Sequence, residues 1–157
     1  MDSIDRKIIA ELQLNGRLSL TELAERVNLS LSPCHRRVRA LEQRRVITGY
    51  RASIDPIKMG FNFMAVVFAT LKEGNKEAVS AFEEAVEEIP QIVLTQRLFG
   101  DPDYLMHVVT RDLSAFQKLY DEKLSAMPGV QHLRSTLIMK TVVQDRPFPL
   151  ETALLQR

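Results

Sequence analysis

Six arginines, Arg36, Arg37, Arg39, Arg44, Arg45 and Arg51, fall between residues 31 and 51, with Glu42 as the only carboxylate among them. A guanidinium carries a rigid fork of donors that matches guanine O6 and N7 or a phosphate, so this run has the chemistry of a polyanion contact. A basic stretch is also what a solvated helix face looks like, and only its placement separates the two. Net charge supports a local partner. Residues 1–55 hold 10 Lys/Arg against 7 Asp/Glu, or +3, while residues 56–157 hold 11 against 13, or −2. Two other groups of residues could do chemistry. Gly100-Asp101-Pro102-Asp103-Tyr104 has the composition of a tight turn with two carboxylates. His35, His107 and His132 are too far apart in sequence to form a metal-ligand pair, and none has a nucleophile beside it. The lone Cys34 cannot make an internal disulfide and, lying in an apolar row, reads as core. No catalytic residue, metal or cofactor is expected.

The arginines need a scaffold, and three helices are marked out for it. Ile4, Ile8 and Leu12 recur every four residues until Asn15-Gly16 stops the pattern. Ser19-Leu20-Thr21-Glu22 is a capping box opening a second helix with Leu20, Leu23, Ala24 and Val27 inward. Asn28 suits the left-handed backbone of a tight inter-helix turn, Ser30 or Ser32 can cap a third helix, and Pro33 fits its first turn. A step of about 100° per residue puts Cys34, Val38 and Leu41 on one face of that helix and Ser32, Arg36, Arg39 and Gln43 opposite. This is a helix-turn-helix with its charge on the second helix of the motif, the one that enters a major groove. The expected DNA-contacting side chains are Ser32, His35, Arg36, Arg37, Arg39 and Gln43. Val46 to Ile54 reads as a short strand leading out of a domain of residues 1–50, with 51–60 as a linker strand broken at Asp55-Pro56 and Gly60.

From residue 61 the pattern becomes strand, helix, strand, twice over. Phe61 to Lys72 is a strand apolar on both faces, and Asn75 caps a helix with Ala78, Val79, Phe82, Val86 and Ile89 inward before the strand Gln91 to Phe99. Tyr104 to Thr110 is a strand, Asp112 caps a helix with Leu113, Phe116, Leu119, Tyr120, Leu124 and Met127 inward, and Val130 to Val143 is the last strand. The order βαββαβ predicts a ferredoxin-like domain over 61–157 and an α+β fold class overall. Met64, Val66, Phe68 and Thr70 alternate with Phe63, Ala65, Val67 and Ala69, so the sheet face without helices is apolar at its centre and calls for a second subunit.

The run Leu31-Ser32-Pro33-Cys34-His35-Arg36-Arg37-Val38-Arg39-Ala40-Leu41-Glu42, followed by Val46-Ile47-Thr48-Gly49-Tyr50, resembles the Lrp/AsnC family of feast/famine transcription regulators. Ile4-Asp5-Arg6-Lys7-Ile8, Gly16-Arg17-Leu18-Ser19, the Gly100 to Leu105 turn and Met127-Pro128-Gly129-Val130 carry the same resemblance, which spans nearly the whole chain. It implies a winged-helix-like head on double-stranded DNA and regulatory domains that pair into dimers and often build octamers, as tetramers of dimers. It also implies a small effector, commonly an amino acid, bound between subunits near Gly100, Asp101, Asp103 and Tyr104 and the strand residues Thr136, Leu137 and Ile138. Free turn amides could hold a carboxylate and Asp101 or Asp103 could accept from an ammonium group. The plain alternative is that the turn has Gly and Asp only for backbone reasons. Pro102 departs from many relatives, so the effector's identity is not carried over.

Two rival functions share this architecture. One is an architectural DNA-binding protein without a ligand. The other is an enzyme similar to decarboxylases of modified tetrapyrroles, which a head keeping its arginines disfavours. Residues 61–71 are too short an apolar stretch for a membrane helix and the N-terminus lacks a signal peptide's apolar stretch, so a cytoplasmic location with no membrane partner is expected.

Overall fold

A computed structural model describes residues 1–150; residues 151–157, which the expected second domain included, lie outside the described residues. The chain forms two units: Met1–Ser53 with the segment from Val143 onward, and Ile54–Val142.

The first unit holds helices α1 (Ser3–Leu14), α2 (Leu20–Arg26) and α3 (Leu31–Gln43). The expected start of α2 and the expected end of α1 both hold: Ser19 and Glu22 exchange capping hydrogen bonds at α2, and Asn15 ends α1. Asp2 and Asp5 form a second capping box at α1. Asn28 turns the chain between α2 and α3 at φ 57°. Ile8, Leu23, Ala24, Val27, Cys34, Val38 and Leu41 are buried together, so each helix commits one stripe to a common core.

After α3 the structure departs from the sequence reading. No strand forms between Val46 and Ile54, and the expected linker strand over 51–60 is an extended segment followed by a single turn. The turn is closed by the Asp55 carboxylate accepting from the Ile57 N–H at 3.0 Å and by Met59 and Phe61 N–H groups reaching back to Pro56. A strand is defined by its neighbour, and from Thr48 to Ile54 no backbone group finds a main-chain partner among the described residues. Tyr50 instead donates to Glu42 at 3.0 Å and lies beside Gly16.

The second unit is a four-stranded antiparallel sheet in the order β2-β3-β1-β4, with β1 Phe63–Leu71, β2 Ile92–Arg97, β3 Tyr104–Thr110 and β4 Val130–Leu137. Helices α4 (Lys76–Glu87) and α5 (Leu113–Glu122) connect them, which is the ferredoxin-like βαββαβ arrangement. Asn75 and Asp112 cap these helices through Ala78 and Ala115 N–H groups, as their positions predict. Ala65, Val67, Ala69 and Leu71 share one core with Val79, Phe82, Val86, Tyr104, Met106, Val108, Phe116 and Leu119. Small residues in the middle strand leave room for large ones from its neighbours: the Phe82 and Tyr104 rings lie 4.6 Å apart.

Three local expectations change. Leu113 is exposed, because it sits in the first turn on the flank of the Phe116–Leu119 stripe. The α5 helix stops at Glu122, and a 3-10 turn at Leu124–Ala126 brings Leu124 and Met127 into the core. β4 ends at Leu137 rather than Val143. Leu137 already pairs with Ala65 and Ile138 with Met64, so the central strand offers almost nothing further to pair with.

Candidate functional site

The α3 face is set by its seat. Cys34, Val38 and Leu41 point into the head core, which leaves Ser32, His35, Arg36, Arg39 and Gln43 exposed on the other side. Ser30 holds the N-cap position in extended backbone but gives no side-chain hydrogen bond, so the first-turn amides of Leu31 and Ser32 keep their donors free of a side-chain cap. Free amides and the positive end of the helix dipole therefore lie at the end that carries Ser32, His35 and Arg36, an arrangement suited to a phosphate. Sequence reasoning, occupied with which serine would cap, missed these donors. Arg44 and Arg45, exposed just beyond Gln43, extend the positive surface.

Arg37 is not part of that face. It is half-buried, with Nη1 2.8 Å from Asp2 Oδ2 and 2.7 Å from Asp5 Oδ1, and so braces the start of α1 against α3. The Asp5 N–H and then the Arg37 guanidinium hold the Asp2 carboxyl below its ordinary range, and the two carboxylates push Arg37 up in turn. The position was readable: Arg37 lies only about 40° around the helix from buried Leu41. A depressed carboxyl contributes stability above its unfolded pKa and loses it as pH falls through the folded one. Arg37→Ala is accordingly expected to lower the head's melting temperature and flatten its acid-side pH dependence, while operator affinity of the folded protein stays within about twofold. A large operator loss at unchanged stability would return Arg37 to the DNA face.

The Gly100 to Tyr104 turn is tied to the far end of β1. Gly100 adopts φ 132° with open space around it, and the Asp101–Pro102 peptide is cis. The Thr70 hydroxyl donates to Asp101 at 3.2 Å, and the Leu71 N–H donates to Asp103 Oδ2 at 2.7 Å. Asp103 N–H bonds Ala69 O at 3.0 Å, and its carbonyl accepts from Leu98 N–H at 2.7 Å. Two of the expected site residues are already engaged here. Asp103, expected with Asp101 as a possible acceptor for an ammonium group, has its Oδ2 taken by the backbone of β1. Tyr104, expected beside the effector, is 1% exposed and donates its hydroxyl to Glu83 at 2.8 Å, with burial first and then Glu83 pushing the phenol up to about 12. Gly100 and Asp101 remain exposed.

Thr136, Leu137 and Ile138 are exposed or half-buried at the opposite end of the sheet. Thr136 pairs with Val66 and Leu137 with Ala65, whereas the turn joins at Ala69 to Leu71. Four residues of strand separate the two groups, about 13 Å at roughly 3.3 Å per residue. Within one chain they do not converge.

His107 and His132 sit opposite Val66 and Thr70 on the helix-free face of the sheet. Among the described residues no group of His, Cys, Asp and Glu could hold a metal ion. Cys34 is buried and its thiol is pushed up by that burial, which makes it an inert core residue.

A helix-turn-helix with an exposed arginine face, joined to a ferredoxin-like domain, defines a two-part DNA-binding regulator. Residues 1–48 match the winged helix-turn-helix DNA-binding pattern and residues 64–148 the Lrp/AsnC ligand binding domain. The chain is 39% identical over 145 residues to the proline dehydrogenase transcriptional activator of Rhodobacter capsulatus, covering 92% of this chain and 94% of that one. It is 38% identical over 152 residues to the leucine-responsive regulatory protein of Escherichia coli, covering 97% and 93%. A Neisseria meningitidis transcriptional regulator solved as an L-Met complex superposes with a TM-score of 0.91 at 32% identity, covering 98% of this chain and 99% of that one. An AsnC family regulator from Agrobacterium tumefaciens gives 0.89 at 32% identity, with 97% and 99% covered. The chain belongs to the Lrp/AsnC family and is a DNA-binding transcriptional regulator with a ligand-binding domain.

Proposed function

We propose that the protein is a cytoplasmic, non-catalytic regulator whose head, residues 1–50, contacts double-stranded DNA through Ser32, His35, Arg36, Arg39 and Gln43. The observation that carries this reading is that these five side chains and the uncapped amides of α3 share one exposed surface. The ferredoxin-like domain from residue 61 acts as the effector-binding and assembly domain, with dimers and their octamers as the working forms. Its helix-free face supports that role: Met64, Val66, Phe68, Leu105 and Val109 line it and are only half-buried among the described residues. Among the described residues no helix is long and apolar enough to cross a membrane.

The effector is a small amino acid held between subunits by Gly100 and Asp101 of one copy and Thr136, Leu137 and Ile138 of another. Two subunits are needed because the two groups lie at opposite ends of the sheet. The relatives support the ligand class, one being named for its response to leucine and another solved with L-Met. Asp103 and Tyr104 position the turn rather than touch the ligand.

Titration calorimetry of the full chain with a panel of amino acids tests this reading together with two variants. The wild type is expected to bind one or more of them. Asp101→Ala is expected to lose that binding while its fold and ligand-free operator affinity persist. Asp103→Ala leaves the Leu71 N–H without its carboxylate and is expected to destabilise the domain by about 1.5–3 kcal/mol. No binding by the wild type would favour the architectural DNA-binding alternative; normal binding by Asp101→Ala would remove the turn from the site.

A further inference from the structure

The described C-terminal segment does not end with the sheet domain but returns to the head. Gln13, in the last turn of α1, grips it by the main chain. Phe148 N–H donates to Gln13 Oε1 at 2.7 Å, and Gln13 Nε2 donates to Phe148 O at a longer 3.5 Å. The side-chain amide thus imitates one rung of a β-ladder. Recognition ignores the ring, since Phe148 is 79% exposed, while Pro147 and Leu150 on either side are half-buried.

The local sequence suits this use. In Pro147-Phe148-Pro149 both prolines lack an N–H, so Phe148 offers the only donor of the three, and Gln13 takes it. Pro147 and Pro149 have fixed φ, and as residues before proline Arg146 and Phe148 are held toward extended backbone. The segment is therefore nearly shaped for docking before it docks, and little chain entropy is lost when it does.

We propose that Pro147-Phe148-Pro149 is a strap and Gln13 its latch, giving the head a second tether. The chain passes between the two units twice, at Ser53–Ile54 and at Val142–Val143. The second passage leaves β4, the strand carrying Thr136 and Leu137, runs through the exposed residues 139–146 and meets α1 at Phe148. The chain from β4 thereby reaches the head by a second covalent route, separate from the unpaired segment Thr48 to Ile54. The latch stands whether or not an amino acid binds at β4; only its use as a signalling route rests on that reading.

Hydrogen exchange of the full-length protein tests the latch without any ligand. Phe148→Pro removes the only donor without touching α1. Gln13→Met removes the amide and keeps a good helix former. Each is expected to speed exchange of the α1 amides about fivefold, the effect of one good hydrogen bond. The double variant should exchange no faster than either single one, because both break the same contact. Phe148→Ala, which keeps the N–H, should match the wild type, and the β1 amides should not change in any variant. Unaltered α1 exchange in Phe148→Pro, effects that multiply in the double variant, or equal loss in Phe148→Ala would each overturn the proposal.

Discussion

Replacing Arg36 and Arg39 together by alanine is expected to lower operator affinity at least about a hundredfold and leave the fold intact. Both side chains are exposed on the side of α3 opposite Cys34, Val38 and Leu41, so their removal opens no cavity and breaks no ion pair among the described residues. A base-reading arginine accounts for about 1–3 kcal/mol, so two at mid-range exceed a hundredfold. The salt dependence separates their roles. Each lost phosphate contact should reduce the slope of log affinity against log salt by about 1 and weaken all sequences alike, whereas a lost base contact should relax sequence preference. Fluorescence anisotropy with operator and scrambled duplexes at several salt concentrations reads both. Affinity within about twofold of wild type would show that DNA meets another surface.

Val66→Lys is expected to dissociate the dimer proposed to form through the helix-free sheet face. Val66 lies mid-strand on the helix-free face between His107 and Thr136, and the strands of that face also present Arg134 and His132 but no carboxylate. A lysine there would meet no acidic partner on its own sheet. An uncompensated charge buried at an interface costs about 3–5 kcal/mol, which is a hundredfold or more in the dimer dissociation constant. Val66 is only half-buried in the single chain, so the domain itself should stay folded, which circular dichroism would check. Sedimentation showing wild-type assembly at low micromolar concentration would move the interface elsewhere. Operator affinity should fall as well, since two heads held together bind a two-part site far better than one.

Local backbone chemistry was the most legible part of the sequence. Ser19 with Glu22, Asn28, Asn75 and Asp112 each act through neighbours within three or four residues, and the structure uses each as its type and position predict. The alternation in β1 likewise depends only on the strand's own period, and it sorts Ala65, Val67 and Ala69 inward. What escaped were features that need a partner distant in sequence. Whether Val46 to Ile54 or Met139 to Val143 forms a strand depends on a neighbouring strand, and among the described residues neither has one. Arg37 carries the same charge as Arg36, yet Asp2 and Asp5 take it out of the exposed face. Sequence shows the Asp103 carboxylate but hides the Leu71 N–H that is bonded to its Oδ2. Gln13 gave no signal, since a polar residue near the end of a helix is ordinary until Phe148 is seen beside it.

The central claim is that the exposed face of α3 is where this regulator meets DNA. Hydrogen-exchange mapping of the full-length protein with and without its operator duplex tests this most directly. Protection is expected to concentrate in residues 30–43, strongest at the Leu31 and Ser32 amides that lack a side-chain cap, with the β1 to β3 amides unchanged. Protection confined to the sheet domain, with the α3 start exchanging as it does in the free protein, would contradict the account.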